Sequence, residues 1–210
     1  MKLMRSFLIL LCAARAANAD VTITRTDAVI EHRMFDPNNP PADMPKLAGN
    51  EAAVTESFFS ADSRVGGDVV DQQKTDSGYR ASIKVDTVQM TLRLRVRVWL
   101  PKDAVPKIVN HEEGHRAIAE YFYKDAEGIA RKWAEGLIGE TVSASGKDCD
   151  SAGQLATSQA ATALGGKYMG QVDVPCNKVQ VIYDEITAHG TNAIKEEKAI
   201  REAIEQVREK

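Results

Sequence analysis

Residues 79–101 read YRASIKVDTVQMTLRLRVRVWLP, and the ten before the final proline alternate without a break. Leu92, Leu94, Val96, Val98 and Leu100 point one way, while Arg93, Arg95, Arg97 and Trp99 point the other. A period of two with one apolar side is the pattern of a β-strand that buries one face. Pro101 cannot donate to a ladder and closes the run. A second signal lies upstream at 21–32, VTITRTDAVIEH, rich in β-branched residues and predicting one or two further strands. Between them, 35–50 (FDPNNPPADMPKLAGN) reads as a proline-rich loop. Residues 52–68 (AAVTESFFSADSRVGGD) predict a short helix that packs Val54, Phe58 and Phe59, then a glycine turn.

Beyond Pro101 the period changes to that of helices. Asp103 is a candidate N-cap and Pro106 suits a first turn. An apolar set follows through Ile108, Ile118, Tyr121, Phe122, Ile129 and Trp133 to Leu137. GETVSASGKD at 139–148 breaks it. Further helices are predicted over 151–169 and 178–189, with Pro175, Cys176 and Asn177 as connector and cap, and a charged, solvated helix ends the chain. The expected class is α+β: antiparallel strands over 20–101, then a helical half over 102–210, in one domain.

The first nineteen residues, MKLMRSFLILLCAARAANA, run basic, apolar, then small-x-small, the order of a secretory signal cleaved after Ala19. Leu11 stands where a lipoprotein signal has a small residue, which argues against Cys12 as a lipid anchor. The signal carries three basic residues and no acid, so removing it takes the formal charge from −3 to −6. An acidic chain argues against general nucleic-acid binding. No later segment is apolar and long enough to span a membrane, so a periplasmic or secreted product is expected. Cys149 and Cys176 then remain, and an even pair in an oxidising compartment reads as a disulfide. Two thiolate metal ligands are the alternative, without the close spacing of a zinc knuckle.

The chemistry is concentrated at 111–115, HEEGH. On a helix, residues four apart share a face, so His111 and His115 can hold one zinc ion. Glu112 projects beside the metal and can take a proton from a water that the metal acidifies. Glu113 is rotated towards solvent. The metzincin extension fails, with Ile118 and Tyr121 at its glycine and third histidine. His189, in 182–190 (IYDEITAHG), is the favoured third ligand. Asp184, with Glu185 behind it, is the rival, or a partner that hydrogen-bonds a ligating histidine. His32 reads as a surface or structural histidine. Tyr183 is either an oxyanion donor or a core aromatic.

Together, a signal peptide, NHEEGHRAIAEYF, a following cysteine and YDEITAHG resemble a bacterial family of unknown function described as predicted secreted zinc-dependent proteases. The resemblance runs over about 98–190, with a weaker echo at 49–60. It implies His111, His115 and His189 as ligands, Glu112 as base, zinc as cofactor and a peptide or protein as substrate. Zincins also place a strand beside the active-site helix and bind extended peptide along its open edge; here 91–100 is the expected strand. Two other classes are carried alongside: an exported, non-catalytic zinc-binding protein, and a metal-free interaction module.

Overall fold

The computed structural model describes residues 20–47, 49 and 51–209; the segment 1–19, expected to be a signal peptide, lies outside them. Its organising element is the strand that the alternation predicts. This strand, β4 (Gly78–Pro101), is the spine of a five-stranded sheet. Along one side it pairs antiparallel with β3 (Val54–Thr75) over nearly its whole length. Along the other side three short strands lie end to end. They are β5 (Thr141–Gly146), antiparallel, then β1 (Asp20–Arg25) and β2 (Val29–Phe35), both parallel to β4.

The inward face of β4 changes phase once. Ala81, Ile83 and Val85 are buried on odd positions, and Val88, Met90, Leu92, Leu94, Val96 and Val98 on even ones. The switch falls at Asp86, which the register skips between Gly66↔Thr87 and Gly67↔Val85. One extra residue moves every later side chain to the other face. Helices cover this inner face: α1 (Pro106–Lys124), α2 (Ala126–Glu135) and the 39-residue α3 (Cys149–Thr187), with α4 (Glu196–Arg208) packed on α1 and α3. Tyr123 on α1 pins the layers together, donating its hydroxyl to the Leu92 and Thr26 carbonyls at 2.8 Å each. The outer face carries the arginines, with Arg95 4.8 Å from the Phe58 ring and Arg33 5.1 Å from the Trp99 ring.

Several expectations are corrected. The N-terminal strands are not an antiparallel set, since β1 and β2 run parallel to β4. Residues 54–68, expected as helix and turn, belong to β3: Phe59 is buried, and its neighbour Phe58 points to the other face beneath Arg95. The supposed breaker at 139–148 contains β5. The α1 N-cap is Val105, not Asp103, with Pro106 opening the helix as expected. Pro175 does not interrupt the second helical pattern; α3 runs through it, so Asn177 caps nothing.

That continuity overturns the disulfide. Cys149 and Cys176 are both free. They lie 27 positions apart on one helix, which separates them by about 40 Å at 1.5 Å per residue. A disulfide needs Cα atoms within about 7 Å. Cys176 is fully buried, and burial pushes its thiol up to about 12. Among the described residues, no helix is long and apolar enough to cross a membrane.

Candidate metal centre

The HEEGH segment spans the second and third turns of α1, with His111, Glu112, Gly114 and His115 all buried. The last turn of α3 meets it. His115 Nε2 lies 3.0 Å from Asp184 Oδ1, His111 Nε2 lies 3.2 Å from the same oxygen, and the two Nε2 atoms are 3.2 Å apart. Acceptor atoms this close repel unless a proton or a cation lies between them. Burial opposes charge on His115, yet the bond to Asp184, the charges of Asp184 and Glu112 and the contact with Gln180 together outweigh burial and raise its pKa. Burial likewise pushes Asp184 up, but hydrogen bonds from His111 and His115 hold it well below the usual carboxylate range.

The trio suits a metal by both donor set and spacing. Two imidazoles and one carboxylate form a ligand set typical of open zinc sites. Ligands at 2.0–2.1 Å in a tetrahedron are about 3.3 Å apart, close to the 3.0–3.2 Å found here. The ligand-capable atoms of His111, His115 and Asp184 all lie within 4.8 Å of one another.

His189 and Tyr183 take other places. His189 is outside that trio and half-exposed at the cleft mouth, its Nδ1 3.6 Å from Asp184 Oδ1 and 3.6 Å from Glu51 Oε1. Tyr183 is fully buried and does not line the cleft. Its hydroxyl donates to the His111 carbonyl at 3.3 Å, and burial raises its pKa. The ring stacks on His111, 10° from parallel with centroids 5.1 Å apart, and meets His115 edge-on at 4.9 Å. This is the core-aromatic role; the oxyanion role does not fit the placement. His32 is on the surface, bonded to Glu113 at 2.6 Å, and Glu113 also pairs with Arg116. Glu113 is therefore half-buried in an ion pair, not simply solvated.

These contacts explain the spacing of YDEITAHG. Tyr183 braces both histidines, and Asp184 meets their ring nitrogens. Thr187 donates to the Tyr183 carbonyl at 2.7 Å and ends α3. The chain then turns through Ala188, His189 and Gly190, at φ 48°, 52° and 72°. At Gly190 a Cβ would come within 2.9 Å of His111 Cβ and Cγ. Only glycine combines that φ with so close an approach to the ring.

Two residues that the sequence reading passed over complete the site. Gln180, one turn before Asp184 on α3, contacts His115 twice. Its Oε1 lies 2.5 Å from His115 Nδ1, and its Nε2 donates to the His115 carbonyl at 3.0 Å. An amide oxygen can only accept, so Nδ1 carries the proton and neutral His115 keeps its Nε2 lone pair for the trio. Thr55, at the start of β3, donates to Glu112 Oε2 at 2.7 Å. Burial nevertheless raises the Glu112 pKa, making it a stronger base than a solvated glutamate. His111 Nδ1 has no hydrogen-bond partner among the described residues, so stacking on Tyr183 holds that side of the ring. A periodicity hint existed for Gln180: Cys176, Gln180, Tyr183 and Thr187 share one helical face. Nothing in the sequence links Thr55 to Glu112, 57 positions away.

Gln180→Leu is expected to weaken zinc binding by about 10–100-fold, as loss of a ligand's hydrogen-bond partner commonly does. Competition against a fluorescent chelator measures this; unchanged affinity would show that the edge-on contact with Tyr183 and the contact with Asp184 suffice to orient His115.

The trio and Glu112 open into a cleft of about 450 Å³ between α1, α3 and the first residues of β3. Among the described residues β3 pairs only with β4, so its outer edge beside the cleft has no strand partner. The expected peptide-binding edge, 91–100, is instead central, with strands on both sides. A scan against protein-family models, a search of curated proteins and a search of solved structures each found no match to this chain.

Proposed function

We propose that this protein is a zinc-dependent hydrolase of peptide bonds, with His111, His115 and Asp184 as ligands and Glu112 as general base. The observation that carries the reading is the convergence of three ligand atoms at 3.0–3.2 Å beside a buried carboxylate, at the wall of an open cleft. Bound there, zinc supplies Lewis acidity and brings the pKa of a water towards 7. The chain supplies the rest. Thr55 occupies Glu112 Oε2, which leaves Oε1 to accept a proton from the attacking water and return it to the leaving amine. Gln180 and Tyr183 hold the histidine rings. The free edge of β3 is suited to an extended peptide, which would pair with its backbone by strand addition.

A non-catalytic metal site is the second reading, because His189 is near enough to Asp184 to close the coordination after a side-chain rotation. Zinc content and peptide hydrolysis, measured on wild type, Asp184→Asn and His189→Ala, separate the two. The hydrolase reading expects Asp184→Asn to lose zinc and activity together, and His189→Ala to keep zinc. Zinc lost from His189→Ala, with no peptide cleaved by wild type, would favour the closed site.

A further inference from the structure

The proline-rich loop plays no part in the site described above, yet it shapes a second cavity of about 700 Å³. Phe35, Met44 and Leu47 line it, together with five prolines that include Pro45 and Pro101. Its volume is in the range of ligand pockets. Glu51 and Ala52 belong to the walls of both this cavity and the metal cleft, so the two lie side by side.

The loop is held in shape. Lys102 N–H donates to the Phe35 carbonyl at 2.9 Å, Met44 N–H to the Pro41 carbonyl at 3.1 Å, and Asn39 N–H to the Asp36 carbonyl at 2.9 Å. Arg33 bridges to Asp43 at 2.7 Å. With φ fixed at each proline, little ordering remains to be done on binding. Among the described residues, the ionisable ones in its walls are Lys46 and Glu51, and Lys46 is exposed. A preformed apolar pocket beside the metal cleft is suited to an apolar group on a molecule whose polar backbone lies in the cleft.

We infer that this cavity is the specificity pocket of the proposed peptidase and takes a leucine- or phenylalanine-like side chain of the substrate. The inference rests on the hydrolase reading for its substrate class. It predicts a preference at one substrate position, set by the loop and not by the metal.

The test uses zinc-loaded protein and peptides that carry Leu, Phe, Ser or Asp at each of the three positions on either side of the cleaved bond. At one position Leu or Phe is expected to exceed Ser by about 10–100-fold in kcat/KM, the range that apolar pockets commonly deliver. Met44→Asp should erase that preference and leave the Ser peptide unchanged. Leu47→Asp, in the wall of this cavity and outside the metal cleft, should do the same should Met44→Asp fail to fold. Cleavage with no such preference, or with a preference that survives both substitutions, overturns the pocket and leaves the hydrolase reading standing. A fluorescent Leu-containing peptide, followed by anisotropy, covers the remaining case. Binding that both substitutions weaken, without turnover, keeps the pocket and overturns the hydrolase; neither binding nor turnover overturns both.

Discussion

Glu112→Gln is expected to retain zinc and the wild-type melting temperature while losing about 10²–10⁴-fold in kcat, the usual contribution of a positioned general base. The substitution preserves shape. Thr55 can still donate to the amide oxygen that replaces the Glu112 carboxylate oxygen at 2.7 Å. The fold should tolerate it, because Glu112 is 4 % exposed and a neutral amide removes a buried charge. What the amide cannot do is accept a proton. Metal analysis and peptide turnover on one preparation separate this from simple loss of zinc. Thr55→Val provides a graded control, since it keeps the base and removes only the hydroxyl that orients it; its loss should be nearer tenfold. Wild-type turnover in Glu112→Gln would rule out this base.

The local pattern made β4 legible, because strict alternation reports one buried face whatever lies beside it. Its neighbours were less so. Strand direction depends on where the chain returns, and nothing in 21–32 distinguishes a parallel from an antiparallel partner. Phe58 and Phe59 misled because adjacent aromatics fit one side of a helix as well as opposite faces of a strand; burial of Phe59 against Tyr123 decides between them. Pro175 misled for a different reason. A proline costs a helix one hydrogen bond, and Val172, Cys176 and Val179 on either side of it are fully buried, enough to carry α3 through. Reading a break there also placed the two cysteines on separate segments and made a disulfide conceivable. The two histidines and the glutamate of 111–115 could be read directly, because one helix presents them. Choosing between Asp184 and His189 could not be settled that way. It depends on the end of α3: Asp184 still faces α1 from the helix, and His189, past the left-handed turn, points to the cleft mouth.

Gly114→Ala is expected to destabilise the protein, although the same change in an exposed helix stabilises. Helix propensity favours alanine over glycine by about 1 kcal/mol. At Gly114 a Cβ would overlap the Tyr183 hydroxyl and lie 2.5 Å from its Cζ and 3.1 Å from its Cε1. A tyrosine free to swing would yield cheaply. Tyr183 is fully buried and packed against both histidine rings, so moving it moves the ligands. Overpacking of this kind costs about 1–3 kcal/mol, enough to outweigh the propensity gain. The net loss should lower Tm by a few degrees, on a scale of about 2–4 °C per kcal/mol for a chain of this size, and weaken zinc binding as well. Gly128 supplies the internal control: it is exposed on α2, with nothing within 4 Å of its would-be Cβ. Gly128→Ala should therefore raise Tm. Tyr183→Phe removes the overlapping hydroxyl together with its bond to the His111 carbonyl. If the overlap is the cause, Gly114→Ala combined with Tyr183→Phe should be less destabilised than the sum of the two single changes. Additive losses would mean that the ring carbon at 2.5 Å, and not the hydroxyl, sets the cost.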